Sequence, residues 1–107
     1  FYAAALAPLG YRVVAEEGDG EATVVMFGIA EPEFVIADKD RPGEANHVAF
    51  RADTRAQVDA FHAAALAAGG RDNGGPGLRE RYGPTYYAAF VLDPDGFNIE
   101  AVCHASD

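Results

Sequence analysis

The sequence has little cysteine: only one of its 107 residues is a cysteine. Because one cysteine cannot form a disulfide within the chain, a scaffold held together by disulfide bonds is excluded. That residue, Cys103, lies in an apolar stretch that is typical of a β-strand. We therefore predict that Cys103 is a buried thiol with a structural role.

Basic residues are also scarce, since 8 lysines and arginines stand against 17 aspartates and glutamates and give a net charge of −9. Such an acidic surface repels the phosphates of nucleic acids and the head groups of anionic lipids. No apolar run approaches the roughly 20 residues that a membrane-spanning helix needs. These features predict a cytoplasmic protein with no nucleic-acid partner and no membrane partner.

The chain opens without an initiator methionine, and its first six residues, FYAAAL, are typical of the inside of a helix. We therefore expect further sequence upstream of Phe1. A secretion signal would lie in that upstream part, so its absence from the present sequence carries little weight.

A short internal repeat divides the chain. Residues 1–10, FYAAALAPLG, match residues 61–70, FHAAALAAGG, at most positions without a gap. Shared aromatic, leucine and glycine positions strengthen the match beyond the alanine content of the two segments. A chain of 107 residues is long enough for one compact core and too short for two independent domains. We predict one domain, residues 1–107, made of two modules at 1–44 and 45–107.

The second module has the clearest pattern of secondary structure. Residues 46–53 alternate apolar and polar side chains, as in a half-buried strand. Thr54 and Gln57 have the spacing of a capping box, and the apolar stripe that follows predicts a helix over 54–68. The glycine- and proline-rich segment 70–84 is typical of a long loop with room for one short strand. Further strands are predicted over 86–92 and 97–103, joined by a turn at residues 93–96, DPDG.

The first module repeats this order after its helix. Strands are predicted over 11–16, 22–28 and 34–37, and a turn that contains Gly18 and Gly20 joins the first two over residues 17–21. The patterns together predict an α+β fold of two βαβββ modules, with the first strand of module one missing from the chain.

The local sequence of the second module resembles a known family. Residues 46–50 (NHVAF), the helical residues 59–62 (DAFH), residues 86–96 (YYAAFVLDPDG) and residues 98–102 (NIEAV) are similar to the vicinal oxygen chelate superfamily, which comprises glyoxalases, bleomycin-resistance proteins and extradiol dioxygenases. The resemblance covers most of residues 46–104, and over residues 1–37 it rests on the helix and the order of strands. It implies that the two modules form a curled mixed sheet around a shared cavity.

The resemblance also implies a divalent metal in that cavity, with His47 and Glu100 at two ligand positions. A neutral imidazole nitrogen and a carboxylate oxygen suit zinc, iron, nickel or manganese. Strand periodicity places His47 on the face opposite Val48 and Phe50. In module one the corresponding position of the last strand is Ala37, which cannot bind metal. One unseen histidine upstream of Phe1 would complete a site of two histidines and one carboxylate.

Each candidate residue also has a simpler structural interpretation. His47 could be a half-exposed strand residue that bonds to a neighbour, and Glu100 could form a salt bridge with Arg51 or Arg12. Tyr86 and Tyr87, near Tyr82, could line an aromatic substrate pocket or belong to the core. Arg79, with Arg81, could hold an anionic group of a ligand or be solvated. His62 and His104 are assigned no role in a site.

Three functions remain open at this stage. The first is a metal-dependent lyase, isomerase or ring-cleaving oxygenase that acts on a small oxygen-chelating substrate, with Glu100 as the catalytic base. The second is a metal-free protein that sequesters an antibiotic, and the third is a domain with a vestigial cavity. The resemblance implies a homodimer in each case.

Overall fold

The computed structural model describes residues 1–18, 23–38, 43 and 46–106. The described elements, in chain order, are α1 (Tyr2–Leu6), a 3₁₀ turn (Ala7–Leu9), β1 (Arg12–Gly18), β2 (Thr23–Gly28), β3 (Phe34–Ala37), β4 (His47–Arg51), α2 (Arg55–Ala67), β5 (Arg71–Leu78), β6 (Tyr87–Leu92) and β7 (Asn98–Cys103). The predicted turn over residues 17–21 and the module boundary at 44 and 45 fall largely outside the described residues. The assignment of one domain therefore stays a prediction.

The predicted capping box fixes the start of α2. The Gln57 amide N–H donates to the Thr54 hydroxyl over 3.1 Å, and the Thr54 amide N–H donates to the Gln57 side-chain oxygen over 3.3 Å. These two bonds satisfy donors that a helix start leaves unpaired. At the other end, Gly69 has a φ of +102°, and Gly70 N–H donates to the Ala65 carbonyl over 2.9 Å. The helix thus forms where the sequence predicts it.

The segment 70–84 contains more strand than the sequence predicts. Most of the segment predicted as a loop forms the eight-residue strand β5, which pairs antiparallel with β6. The pairing register shifts between Asp72 and Gly74 and again between Gly74 and Gly77. Glycines permit such bulges at a sheet edge because they tolerate unusual backbone angles, and Gly74 has a φ of +144°. Pairing with β6 outweighs the low strand propensity of this segment.

Two sheets carry the fold. The first has the order β1-β2-β3 and is antiparallel, and the second has the order β4-β7-β6-β5, with β4 parallel to β7. The run β1-β2-β3 repeats the neighbour order of β5-β6-β7, which is the repetition expected of two related modules. The predicted α+β class is confirmed. Among the described residues, module one consists of α1 and three strands.

The core lies between α2 and one face of the four-stranded sheet. Val58, Phe61 and Ala65 on the helix are fully buried, and Ile99 and Cys103 on β7 belong to the same cluster. Leucines from the first module, together with Phe27 and Phe50, extend this cluster into the space between the modules. Cys103 is a buried free thiol, as predicted. Neither helix in the described part of the chain has the length and apolar character needed to cross a membrane.

The turn between β6 and β7 is tied to the first helix. Asp93 is 4% exposed, and its carboxylate accepts the backbone N–H groups of Asp95 and Phe97 over 3.0 and 2.8 Å. The Tyr2 hydroxyl donates to the same carboxylate. Gly96 follows with a φ of +88°, which only glycine adopts without strain. The predicted turn therefore both reverses the chain and joins the two modules.

Candidate functional site

Strand alternation divides the side chains of β7 between two environments. Ile99, Ala101 and Cys103 face α2 and the core. Asn98 and Glu100 therefore point to the other side of the sheet, together with His47 on the neighbouring strand β4. We call this second side, which carries His47, Phe90, Asn98 and Glu100, the open face. His47 lies in register with Asn98, which is two residues before Glu100 on β7.

Glu100 is the centre of the open face. It is 1% exposed, and both of its carboxylate oxygens have partners. Oε1 is 2.8 Å from Nε2 of His47, and Oε2 accepts the Tyr86 hydroxyl. Because a carboxylate is costly to bury without partners, these two contacts explain how the charge is tolerated. The His47 side chain, by contrast, is 53% exposed.

The structure brings the two predicted ligand residues together on one face. Glu100 has no bond to Arg51 or Arg12 among the described residues, so the alternative salt bridge is absent there. The simpler interpretation of His47, a bond to a neighbouring side chain, describes its contact with Glu100. Their roles as metal ligands stay a prediction.

The environment of Tyr86 keeps its hydroxyl protonated. Burial, and then the hydrogen bond and negative charge of Glu100, raise the pKa of Tyr86 to about 12. A tyrosine with a raised pKa holds its proton more tightly in the folded state than in the unfolded state. Its contribution to stability is therefore complete below the unfolded pKa of 10.0 and is lost as the pH rises through about 12.

Glu100→Gln is expected to lower the Tyr86 pKa partway from about 12 toward 10.0. The substitution removes the charge and weakens the hydrogen bond, while burial remains. Titration of isotope-labelled tyrosine by NMR measures this change. Tyr87 serves as the control, because the hydrogen bond to Asp59 is the first cause of its raised pKa. An unchanged Tyr86 pKa in the variant would contradict the arrangement described here.

Tyr87 lies away from the open face. Its hydroxyl donates to Asp59 of α2 over 2.6 Å, and the Arg55 guanidinium lies 5.0 Å from its ring centre. Tyr87 is the first residue of β6, and it pairs with Cys103, whose side chain faces α2. The structure therefore brings Tyr86 to Glu100 and leaves Tyr87 beside the helix.

Phe90 is a residue of the open face that was not identified from the sequence. Phe90 pairs with Glu100 across β6 and β7, and its ring centre is 6.2 Å from that of His47. The Arg79 guanidinium lies over the ring of Phe90, 5.4 Å from the ring centre. Asn98 accepts a hydrogen bond from Asn73 over 3.1 Å. Strand periodicity in the sequence places Asn98 on the same face as Glu100, and the structure agrees.

The remaining histidines lie outside this arrangement or at its edge. His62 on α2 bonds to the exposed carboxylate of Asp72 on β5 over 2.9 Å, and so joins the helix to the sheet. This bond is the first cause of the lowered pKa of Asp72. The ring of His104 meets the edge of Tyr86 at 5.3 Å between ring centres.

The donor set of the open face fits part of a metal site. His47 and Glu100 offer one nitrogen and one carboxylate within reach of each other. Catalytic zinc sites use three protein ligands. Within residues 1–18, 23–38, 43 and 46–106, no three His, Cys, Asp or Glu side chains are placed to hold an ion. Among the described residues, His47 and Glu100 are therefore a pair of candidate ligands and not a complete site.

A wide groove lies elsewhere among the described residues. It has a volume of about 830 Å³ and runs between the two modules, against Val25, Ile36, Val48 and Ile99. Val48 and Ile99 point away from the open face, so this groove is separated from Glu100 by the sheet. This groove is therefore not the ligand-bearing cavity that the resemblance implies, because neither His47 nor Glu100 lines it.

Comparison with known families settles the relationship of this chain. Residues 1–101 match the profile of the Glyoxalase/Bleomycin resistance protein/Dioxygenase superfamily. The chain belongs to this superfamily. The resemblance found in the sequence is therefore confirmed. No curated protein matches the chain.

Solved structures of the glyoxalase/bleomycin resistance protein/dioxygenase superfamily share this fold. A glyoxalase/bleomycin resistance protein from Albidiferax ferrireducens T118 is 29% identical, with a TM-score of 0.71 over 95% of this chain and 82% of that chain. A glyoxalase-related enzyme from Fulvimarina pelagi is 17% identical, with a TM-score of 0.62 over 94% and 77%. Glyoxalase I from Zea mays is 20% identical, with a TM-score of 0.63 over 96% of this chain but only 39% of that chain.

Proposed function

We propose that this chain is an enzyme domain of the glyoxalase/dioxygenase type that acts on a small substrate with two neighbouring oxygens. The observation that carries the proposal is the buried carboxylate of Glu100, held by His47 and Tyr86 on an otherwise accessible face. A carboxylate in a partly desolvated position is suited to accept a proton from carbon. The reaction is a lyase or isomerase step, or a ring-cleaving oxygenation.

Glu100 is the proton acceptor in the isomerase form of this proposal. It removes a proton from a hydroxyl-bearing carbon next to a carbonyl, so that the C–H electron pair forms a carbon–carbon double bond and the carbonyl π pair moves to the carbonyl oxygen. The hydroxyl proton passes to that oxygen, and Glu100 returns its proton to the former carbonyl carbon. Tyr86 holds its proton at neutral pH, as any tyrosine with a pKa of 10.0 or above does, and so acts as a hydrogen-bond donor throughout. It orients one carboxylate oxygen and stabilises the negative charge.

His47 and Glu100 are the residues that would hold a divalent metal, namely zinc, iron, nickel or manganese. When bound, such an ion supplies a Lewis acid that polarises the two substrate oxygens. The remaining ligands come from outside the described residues in this proposal. Arg79 and Tyr86 contact the substrate, whereas Tyr87 is left out because it faces α2.

A homodimer is part of the same proposal. The open face leaves the His47 side chain 53% exposed, although catalysis at Glu100 benefits from exclusion of water. A second copy of the chain that covers this face would shield the site. We also propose a cytoplasmic location, in keeping with the net charge of −9.

A metal-free binding protein of the bleomycin-resistance type is the second candidate. Two observations favour it: the described residues offer only two metal ligands, and Tyr82 is 57% exposed with its ring centre 5.2 Å from that of Tyr86. Exposed tyrosine rings suit the stacking of a planar drug. In this alternative the Glu100 cluster has a structural role.

Activity in the presence and absence of metal separates the two candidates. The full-length protein, loaded in turn with zinc, iron, nickel and manganese, is tested for deuterium exchange into dihydroxyacetone and for oxygen consumption with catechol. We expect one of these activities, and we expect chelation to abolish it. No activity with any metal, together with binding of a planar antibiotic that survives chelation, would replace the enzyme proposal with the binding protein.

A further inference from the structure

A small polar cleft adjoins the Glu100 site on the open face. Its volume is about 270 Å³, and it lies over the bulged part of β5 and the neighbouring strand β6. The side chains that line it are Asn73, Arg79, Arg81, Tyr82, Phe90 and Asn98. Two of these six side chains are cationic, two are amides, and none is acidic.

The guanidinium of Arg79 is held in a fixed position in this cleft. Its Nη1 donates to the Gly77 carbonyl over 2.9 Å, and its Nη2 donates to the Gly75 carbonyl over 2.7 Å. The group also lies over the ring of Phe90, 5.4 Å from the ring centre. A guanidinium has five N–H donors, so these two bonds leave three for a ligand.

The glycines of β5 provide the space that the guanidinium occupies. A Cβ at Gly74 would lie 3.2 Å from Nη2 of Arg79 and 3.1 Å from the Phe90 ring, and a Cβ at Gly77 would lie 3.1 Å from Nη1. All three distances are shorter than ordinary van der Waals contacts of a Cβ atom. The glycine-rich segment, which looks like a loop in the sequence, thus forms a strand that fits around a positioned cation.

The charge of the cleft contrasts with the charge of the chain. The sequence has 8 basic residues and a net charge of −9, yet Arg79 and Arg81 both line this cleft. The ion pairs among the described residues are formed by His47 and His62, so neither arginine has a carboxylate partner there. Two cations without a counter-charge attract an anion.

We propose that the cleft binds the carboxylate of a small substrate whose reacting atoms lie at Glu100. This inference rests on the proposed enzyme function, and it adds that the substrate is an organic acid. The planar fork of Arg79 matches a carboxylate, and the Asn98 amide group adds a further donor. Phe90 contacts both the Arg79 guanidinium and the His47 ring, so the acid group and the reacting atoms are separated by about one aromatic ring.

Benzoate is the probe for this cleft, with inorganic phosphate as the competing anion. The full-length protein is stripped of metal and dialysed free of chelator, and binding is followed by calorimetry and by amide NMR. We expect saturable benzoate binding with the largest shifts at Gly74, Gly77 and the Asn98 side-chain amide. Arg79→Met should weaken binding about tenfold or more, because hydrogen bonds to charged groups are lost.

Arg12→Met is the matched control, because Arg12 is an exposed arginine on β1 that lies outside the cleft. It should change benzoate affinity by about twofold or less. Equal binding by the parent protein and Arg79→Met, shifts that map elsewhere, tighter binding of phosphate than of benzoate, or no saturable binding would each overturn the proposal. The shift map needs only the parent protein, so it decides the matter even if Arg79→Met does not fold.

Failure of this proposal and failure of the enzyme proposal are distinguishable. Benzoate binding is measured without metal and without turnover. A protein that binds benzoate through Arg79 but shows no activity with any metal would retain the carboxylate cleft and lose the enzyme function. A protein that is active but does not bind benzoate would lose the cleft alone.

Discussion

Glu100→Gln is expected to lower deuterium exchange into dihydroxyacetone by about 100-fold or more, the usual contribution of a positioned general base. Glutamine has nearly the same shape and can still contact His47 and Tyr86, so the substitution removes the charge and the proton acceptor with little change in packing. The rate is measured by NMR on the metal-loaded, full-length protein. Thermal unfolding of the same sample shows that the fold is retained.

His62→Gln is the matched control for this measurement. Like His47, His62 bonds to a carboxylate at about the same distance, 2.9 Å to Asp72, but this bond joins α2 to β5 and involves no residue of the open face. We expect its exchange rate to equal that of the parent protein. If Glu100→Gln retained the parent rate, Glu100 would not be the base and the isomerase form of the proposal would be wrong.

Phe61→Ala is expected to lower the free energy of unfolding by about 3–5 kcal/mol. The Phe61 side chain is fully buried between α2 and the four-stranded sheet, and its removal leaves a cavity that the surrounding core cannot fill. Domains of this size are stable by only about 5–15 kcal/mol, so the loss is a large share of the total. Equilibrium unfolding in urea measures it.

Leu66→Ala on the same helix provides the comparison for Phe61. Leu66 is 36% exposed and lies outside the buried cluster. Its truncation should cost about 1 kcal/mol or less, since substitutions away from the core have small effects. Equal losses for the two variants would mean that the core does not lie where the structure places it.

The parts of the fold that local sequence determines were predicted well. Helix α2 has its cap, its apolar stripe and its terminal glycines within one continuous segment, and the turn at Asp93 and Gly96 has its chemistry in four residues. Strand β5 could not be predicted in this way. Its residues are poor strand formers. Its conformation depends on the pairing with β6 and on the Arg79 guanidinium, which lies close to Gly74 and Gly77.

The candidate site was predicted in part for a similar reason. Period two along β4 and β7, together with the resemblance, placed His47 and Glu100 on one face, where the structure brings them together. The contact between Tyr86 and Glu100 was not foreseen, because Tyr86 precedes β6 and its reach depends on the turn before that strand. Phe90 was missed because the face of the sheet to which its side chain points becomes evident only from its pairing with Glu100.

Metal content of the full-length protein is the most direct test of the account. Plasma mass spectrometry would compare the parent protein with Glu100→Ala after exposure to zinc, iron, nickel and manganese. We predict near-stoichiometric metal in the parent protein and its loss in the variant, because Glu100 is one of the proposed ligands. No metal in either protein, or equal metal in both, would contradict the proposal that His47 and Glu100 form a metal-dependent active site.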